Sequence, residues 1–149
     1  MRVLVQRVAW ARVVVGDTEV GAIGRGLLAF VGCTEGDDVA AAWFLAEKTV
    51  GLRVFEDESG RMNRALGDVG GGLLVVSQFT LYGDCARGRR PSFIRALAPE
   101  PAEQLIAAFV DHARTLTPIV ATGRFRSHME VSLLNDGPVT LMLEHPGPT

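Results

Sequence analysis

The run Leu73-Leu74-Val75-Val76 is apolar throughout and stands behind Gly70-Gly71-Gly72; Ser77, Gln78 and Thr80 follow at once, with Phe79 and Leu81 interleaved. A short continuous apolar run bounded by glycines predicts a strand buried on both faces. Alternation carried past Val76 sets Ser77 and Phe79 on one side and Gln78 and Thr80 on the other, so polar groups converge at a strand end. Upstream, Arg2 to Val15 reads as a strand pair, with valines at 3, 5, 8, 13, 14 and 15 and turn chemistry at Gly16-Asp17. Leu27 to Val31 predicts a further strand behind Gly24-Arg25-Gly26. The period then changes: Val39, Trp43, Ala46 and Val50 predict a helix capped by Asp37 or Asp38, with Trp43 in the core. Leu52 to Phe55 returns to strand, Glu56 to Gly60 is a polar turn, and the glycines from Gly67 to Gly72 read as turn positions that tolerate positive φ. Pro99 to Leu116 predicts a second helix, with Leu105, Ile106, Phe109, Val110, Ala113 and Leu116 inward and His112 exposed. Ile119 to Ala121 and Glu130 to Leu134 are strands, and Asn135-Asp136-Gly137-Pro138 leads into a last one, Val139 to Leu143, closing a hairpin; His145 to Thr149 is expected to fray.

No repeat or linker divides these elements, which predicts one domain over residues 1–149. Its class is α/β, a layered arrangement of mixed, largely antiparallel sheets with two main helices. A last hairpin without cover in so small a chain points to a homodimer. The 48% hydrophobic and 21% charged composition is that of a globular protein. No apolar run approaches bilayer length and the N-terminus lacks a signal-peptide core, so a cytoplasmic protein with no membrane partner is expected.

Charge and cysteines narrow the chemistry. A net charge of −2 argues against a generally basic nucleic-acid-coating surface, yet Arg87, Arg89, Arg90 and Arg95 crowd into one Gly- and Pro-containing loop. That loop is either a solvated surface or a contact for phosphates, which arginine's planar fork suits. Cys33 and Cys85 have no CxxC spacing and read as free thiols, with neither a zinc site nor a disulfide. Gly24-Arg25-Gly26 precedes a strand, where a dinucleotide loop would follow one, and no lysine stands in P-loop spacing after the later glycines. Ser77 and Thr80 either cap a turn through the backbone or face a ligand. Neither lies in a GxSxG elbow. Arg7, among apolar neighbours, is either a rim residue or a tether for a carbonyl or carboxylate. In Asn135-Asp136-Gly137-Pro138-Val139-Thr140 a Gly-Pro step interrupts two apolar strands where a plain Asn-Gly turn would suffice.

At these two stretches the chain resembles the D-aminoacyl-tRNA deacylase family, whose signatures are SQxTL, here Ser77 to Leu81, and NxGPxT, here Asn135 to Thr140. The similarity extends to the opening MRVLVQRV, to LRVFEDESGRMN and to GDCARGRRPSF, and so over essentially the whole chain. It implies a homodimeric hydrolase, without metal or organic cofactor, that cleaves the ester between a D-amino acid and the terminal ribose of tRNA. It also implies substrate-assisted hydrolysis at Ser77, Gln78, Phe79 and Thr80, in which the ribose 2′-hydroxyl helps activate water. A cis Gly137-Pro138 step would project into the partner's site and exclude L side chains, with Arg7 holding that motif and Asn135, Thr140, Phe125 and Met129 in support. Arg87, Arg89 and Arg90 would then meet tRNA. The chain departs from a GxFGADM-like segment, carrying Gly123-Arg124-Phe125-Arg126-Ser127-His128-Met129 instead. His128 there keeps open a general esterase in which a histidine activates Ser77 or Thr80; a noncatalytic RNA-binding dimer is the third reading.

Overall fold

The opening residues hold no Gly, Pro, Asn or Asp before Gly16, and in a computed structural model, which describes residues 1–147, Arg2–Val15 is one strand, β1. The expected strand pair is therefore corrected. The turn of the pair is Gly16-Asp17, where Gly16 takes φ +60°, and the second arm is β2, Thr18–Ile23. β3, Gly26–Gly32, returns along the first half of β1, so β1 is flanked by β2 at one end and β3 at the other.

The remaining elements are α1 (Val39–Gly51), the short strands β4 (Phe55–Glu56) and β5 (Met62–Arg64), β6 (Gly72–Ser77), α2 (Pro99–Leu116), β7 (Val120–Thr122) and β8 (Glu130–Glu144). The main sheet runs β2-β1-β3-β6-β7, with β8 antiparallel on the other edge of β1. Four ladders are antiparallel; β3-β6 and β6-β7 are parallel. This is the mixed, largely antiparallel sheet with two main helices that the patterning predicts. The stretch Leu52 to Val54 stays outside the ladders, since only Phe55 and Glu56 pair, with Met62–Arg64.

Two cores share the sheet. Leu27, Ala29 and Val31 of β3 and Leu73 and Val75 of β6 face the helices, together with Leu45, Phe109 and Ala113. The alternate residues Leu28, Leu74 and Val76 face the inside of the curled sheet with Val8, Ala11 and Val13. The curl brings β2 onto β7, so a Cβ on Gly21 would collide with the carbonyl of Thr122. β1 serves both cores: Val3 and Val5 belong to the helix side and Val8, Ala11 and Val13 to the inside, and the alternation shifts phase between Val8 and Ala11, where the pairing slips from Val8↔Asn135 to Trp10↔Leu134.

Four expectations are corrected here. The glycine run needs positive φ only at Gly70, +62°, whereas a Cβ on Gly72 would lie 2.9 Å from the Ile23 side chain, and β3 passes so close that one on Gly26 would strike the Gly72 carbonyl. α1, capped by the Asp38 carboxylate on the Ala41 N–H at 2.9 Å, buries Ala41, Ala42, Leu45, Ala46 and Thr49, while Val39 and Trp43 lie outside. Its small alanines let it approach closely, and that turns the larger stripe outward. Trp43 instead covers His112 of α2, ring centroids 5.5 Å apart, and His112 meets Glu47 at 2.8 Å, so this histidine is half-buried rather than free. Leu116 is exposed, while the rest of the expected α2 stripe faces inward.

The closing hairpin is also absent. Glu130–Glu144 is a single strand, antiparallel to β1 from Val14↔Glu130 to Arg2↔Glu144. At the start of the tail, the His145 N–H donates to the Met1 carbonyl at 3.0 Å, so the expected fraying does not begin there; Pro148 and Thr149 lie outside the described residues. Among the described residues no helix is long and apolar enough to cross a membrane.

Candidate active site

β6 runs parallel to β3 up to the pair Val31↔Ser77, and the Gln78 N–H closes the ladder on the Val31 carbonyl at 2.8 Å. There the strand stops, and Phe79–Tyr82 wind into a 3-10 turn, with Leu81 N–H on the Gln78 carbonyl at 3.2 Å and Gly83 N–H on that of Thr80 at 2.9 Å. The alternation expected through Thr80 therefore ends at Ser77. The turn is tied down from behind: Arg2 donates to the Leu81 carbonyl at 2.9 Å and lies over the ring of buried Tyr82, 4.6 Å from its centroid. The Gln78 side chain donates to the Thr80 hydroxyl in a short hydrogen bond. The amides of Phe79 and Thr80 have no acceptor among the described residues, so two main-chain donors stand free at the strand end.

Beside them opens a cavity of about 730 Å³ between the ends of β3 and β6, the start of α2 and the Phe125–Met129 segment. Such a volume is within the range of small-molecule sites. Ser77, Gln78 and Phe79 form one wall and Phe125, Arg126, His128 and Met129 another. Phe93 packs edge-on against Phe79, centroids 5.2 Å apart, and also lines the space. Cys33 lines the cavity as well, but burial, with the charge of Asp37 behind it, pushes its thiol up to about 12. It is a neutral thiol, unsuited to attack. Ser77 and His128 share the cavity, yet the hydrogen bonds among the described residues include none between them and no carboxylate on His128. No three His, Cys, Asp or Glu side chains among the described residues group as a metal ion would need.

The second odd stretch is a bulge. Gln6↔Thr140 and Val8↔Asn135 are paired, so Asp136, Gly137, Pro138 and Val139 stand opposite the single residue Arg7. The Gly137-Pro138 bond is cis, and both residues are exposed and lie outside their own chain's cavity. Arg7 is only 6% exposed, which rules out the rim reading. Its Nε donates to the Asp136 carbonyl at 3.1 Å, its Nη1 to that of Val54 at 2.7 Å, and the Asp136 carboxylate lies 3.4 Å from Nε. Asn135 braces the bulge from within, donating to the Arg7 and Val139 carbonyls at 3.1 Å each, and Gln6 donates to the Thr140 hydroxyl at 3.2 Å. Gly137 has φ +125°, and a Cβ there would lie 2.9 Å from the Arg7 guanidinium.

The arginine loop is pinched at its base by paired amides of Asp84 and Ser92, at 2.7 and 2.9 Å. Arg87, Arg89 and Arg90 are exposed and join no ion pair among the described residues. They stand outside the cavity, on the segment that leads into Phe93.

The family model described as D-Tyr-tRNA(Tyr) deacylase matches residues 4–144. The chain is 56% identical to a D-aminoacyl-tRNA deacylase of Heliobacterium modesticaldum over 99% of this chain and 98% of that one. It is 57% identical to one of Symbiobacterium thermophilum, over 97% and 95% of the two chains. The chain belongs to the D-aminoacyl-tRNA deacylase family. Among solved structures it is similar to a c-Myc DNA unwinding element binding protein, with TM-score 0.92 and 37% identity over the whole of both chains. A probable eukaryotic D-amino acid tRNA deacylase, at 18% identity, TM-score 0.80 and 95% and 97% coverage, shares the fold.

In this member of the family the cavity gathers Ser77, Gln78, Phe79, Phe125 and Met129, and leaves out Thr80, Arg7, Asn135, Gly137, Pro138 and Thr140. Cys33, Phe93 and Ile106 line it although the sequence pattern does not mark them as site residues. Phe93 had a signal, an aromatic ring in an otherwise polar loop; Cys33 and Ile106 had none beyond core hydrophobicity. The segment that departs from the family pattern forms a turn in which Ser127 N–H meets the Arg124 carbonyl at 3.3 Å. Its third residue, Arg126, has φ +60° and is the one non-glycine with positive φ among the described residues.

Proposed function

We propose that this chain, as one domain over residues 1–149, hydrolyses the ester between a D-amino acid and the terminal ribose of tRNA in the cavity beside Ser77 to Thr80. The observation that carries this is the strand end itself. The free Phe79 amide belongs to the wall of a cavity large enough for a nucleoside, the free Thr80 amide follows it in the turn, and the hydrogen bonds among the described residues pair no side-chain nucleophile there with a base. Water attacks the ester carbonyl, and the amides of Phe79 and Thr80 donate to the oxygen that becomes negative. Because the turn is already fixed by Gln78, Arg2 and Tyr82, those donors need no reorganisation as charge develops. Collapse of the tetrahedral intermediate expels the ribose oxygen, which takes up a proton, leaving free tRNA and the amino acid. The ribose 2′-hydroxyl, adjacent to the ester, helps activate the water.

The exposed Gly137-Pro138 bulge acts in a homodimer, entering the partner's cavity, where main-chain atoms occupy the space an L side chain would need. Its exposure, its tether to Arg7 and its distance from its own cavity support this reading. A wall that excludes side chains of one hand has nothing to exclude in glycine, so glycyl-tRNA is a substrate too. A tRNA substrate places the work in the cytoplasm.

Deacylation of matched D-, L- and glycyl-tRNA by one preparation tests the proposal. Turnover of the D and glycyl esters with the L ester spared is expected. Binding of aminoacyl-tRNA without turnover would make the chain an RNA-binding protein. Thr80→Ala should keep measurable turnover, and a trapped acyl-enzyme on Thr80 or Ser77 would establish the general esterase instead.

A further inference from the structure

The turn Arg124 to Ser127 puts a positive charge in the cavity wall that ester hydrolysis, as derived above, leaves unused. Arg126 lines the cavity with its side chain 61% exposed, and so marks where the cavity meets solvent. Its carboxylate neighbour is Glu100, in the first turn of α2, 3.5 Å away and 75% exposed. A pair that long between two exposed groups is weak and exchangeable. It steadies the guanidinium at the mouth while leaving it available to an anion that can take two parallel N–H bonds, as a phosphate does. The backbone adds a second indication. The third position of such a turn favours glycine, yet an arginine holds φ +60° there, so the side chain is present at a cost in local strain.

The substrate presents the matching anion at that place. With the ester against the amides of Phe79 and Thr80 and the terminal nucleoside in the rest of the cavity, the phosphodiester on the 5′ side of that nucleoside is the first charged group to emerge at the mouth. We propose that Arg126 binds this phosphodiester, exchanging Glu100 for it, and so fixes how deeply the acceptor end enters. This rests on the deacylase reading of the cavity. Arg126 is a positioning residue: it holds the nucleotide and does not touch the ester. The contact differs from the Arg87 to Arg90 loop, which lies outside the cavity and would meet more distant phosphates.

Two small probes isolate the contact, 3′-O-D-tyrosyl-AMP and 3′-O-D-tyrosyl-adenosine, which differ only in the phosphate. Arg126→Gly suits the backbone at φ +60°, so its thermal midpoint should stay level or rise, and any kinetic loss belongs to the side chain. The variant is expected to raise KM for the AMP probe about fivefold more than for the adenosine probe, with kcat changed less, and Arg126→Lys should recover part of the loss. On D-tyrosyl-tRNA it should reduce the dependence of log KM on log salt by about 0.7, the effect of one single-stranded phosphate. Glu100→Gln should lower KM for the AMP probe, and that gain should vanish in the Glu100→Gln/Arg126→Gly double variant. An unchanged salt dependence on D-tyrosyl-tRNA, or equal KM effects on the two probes, overturns the proposal. A wild-type protein that fails on D-tyrosyl-tRNA as well would overturn the deacylase reading itself.

Discussion

Arg7 spans from β1 to two carbonyls on different elements, Val54 at 2.7 Å and Asp136 at 3.1 Å, and is buried between them. Arg7→Ala leaves both acceptors without their donor, at about 1–3 kcal/mol for each buried group left unpaired. A chain of this length should lose about 2–4 °C in Tm per kcal/mol. The sharper expectation is functional: freed from its tether, the Asp136 to Pro138 bulge loses its aim, so D-ester turnover should fall well below wild type at temperatures where the variant is fully folded. Arg7→Lys, with one compact ammonium in place of a fork, should rescue stability better than turnover. Wild-type kinetics in folded Arg7→Ala would show that the tether does not serve the reaction. Cys33 makes a separate expectation. Its folded-state thiol is pushed from 9.0 to about 12, and burial likewise pushes the Tyr82 phenol from 10.0 to about 12. Both raised values mean that the unfolded chain releases protons first. Stability from these groups is complete below pH 9 and is lost as pH climbs toward 12, for Cys33 by at most roughly 4 kcal/mol at three units of 1.36 each. Urea unfolding at pH 8, 10 and 11 should show the decline, and Cys33→Ala should flatten it. A slope identical in both proteins would mean that Cys33 ionises as freely folded as unfolded.

Elements explain why the two signature stretches were legible and their surroundings less so. β6 and α2 could be read because each has one strong period and clear borders. β1 and β8 could not, since Gly137-Pro138 carries turn chemistry and predicts a hairpin. Pairing with β1 on both sides of the bulge overrides that local preference. In α1 the sequence pattern points one face out of phase, because Trp43 weighs heavily in a hydrophobic stripe whereas the alanines that pack closest weigh little. Position alone points to a buried Arg7, which continues the alternation of buried Val3 and Val5; what the sequence hides is that carbonyls of Val54 and Asp136, far along the chain, receive its guanidinium. The arginine loop was legible as a cluster, and its role is measurable at this scale. Arg87→Ala/Arg89→Ala/Arg90→Ala should weaken tRNA binding and flatten the plot of log affinity against log salt by about 0.7–0.9 for each phosphate that is no longer neutralised. An unchanged slope would leave the loop as solvated surface. The pinch at Asp84 and Ser92 is retained in the triple variant, so folding should be unaffected.

At the scale of the whole molecule, a motif outside its own cavity can act at an active site only if a second chain brings one to it. β8 is an edge strand, bonded among the described residues only to β1, and exposes Leu134 and Met142, while Trp10 lies exposed opposite Leu134. An edge with apolar side chains is a surface that another chain can cover. The expected particle is therefore a dimer of twice 16.0 kDa, as light scattering would read. Mass alone does not say whether the two sites exchange parts, but complementation does. Gly137→Ala puts a Cβ 2.9 Å from the Arg7 guanidinium at a φ of +125°, and so distorts the bulge while leaving its own cavity untouched. Ala98→Trp does the opposite, placing an indole in the cavity from an exposed wall position. Each homodimer should be nearly inactive. If the bulge works across the dimer, a mixed dimer joins the intact cavity of the Gly137→Ala chain to the intact bulge of the Ala98→Trp chain and restores one site of two. Co-expressed differently tagged chains, purified on both tags, should then show about half of the wild-type turnover per dimer, additive for independent sites. Were the bulge to serve its own chain's cavity, every chain in the mixed dimer would carry a defect and turnover would stay at the homodimer background.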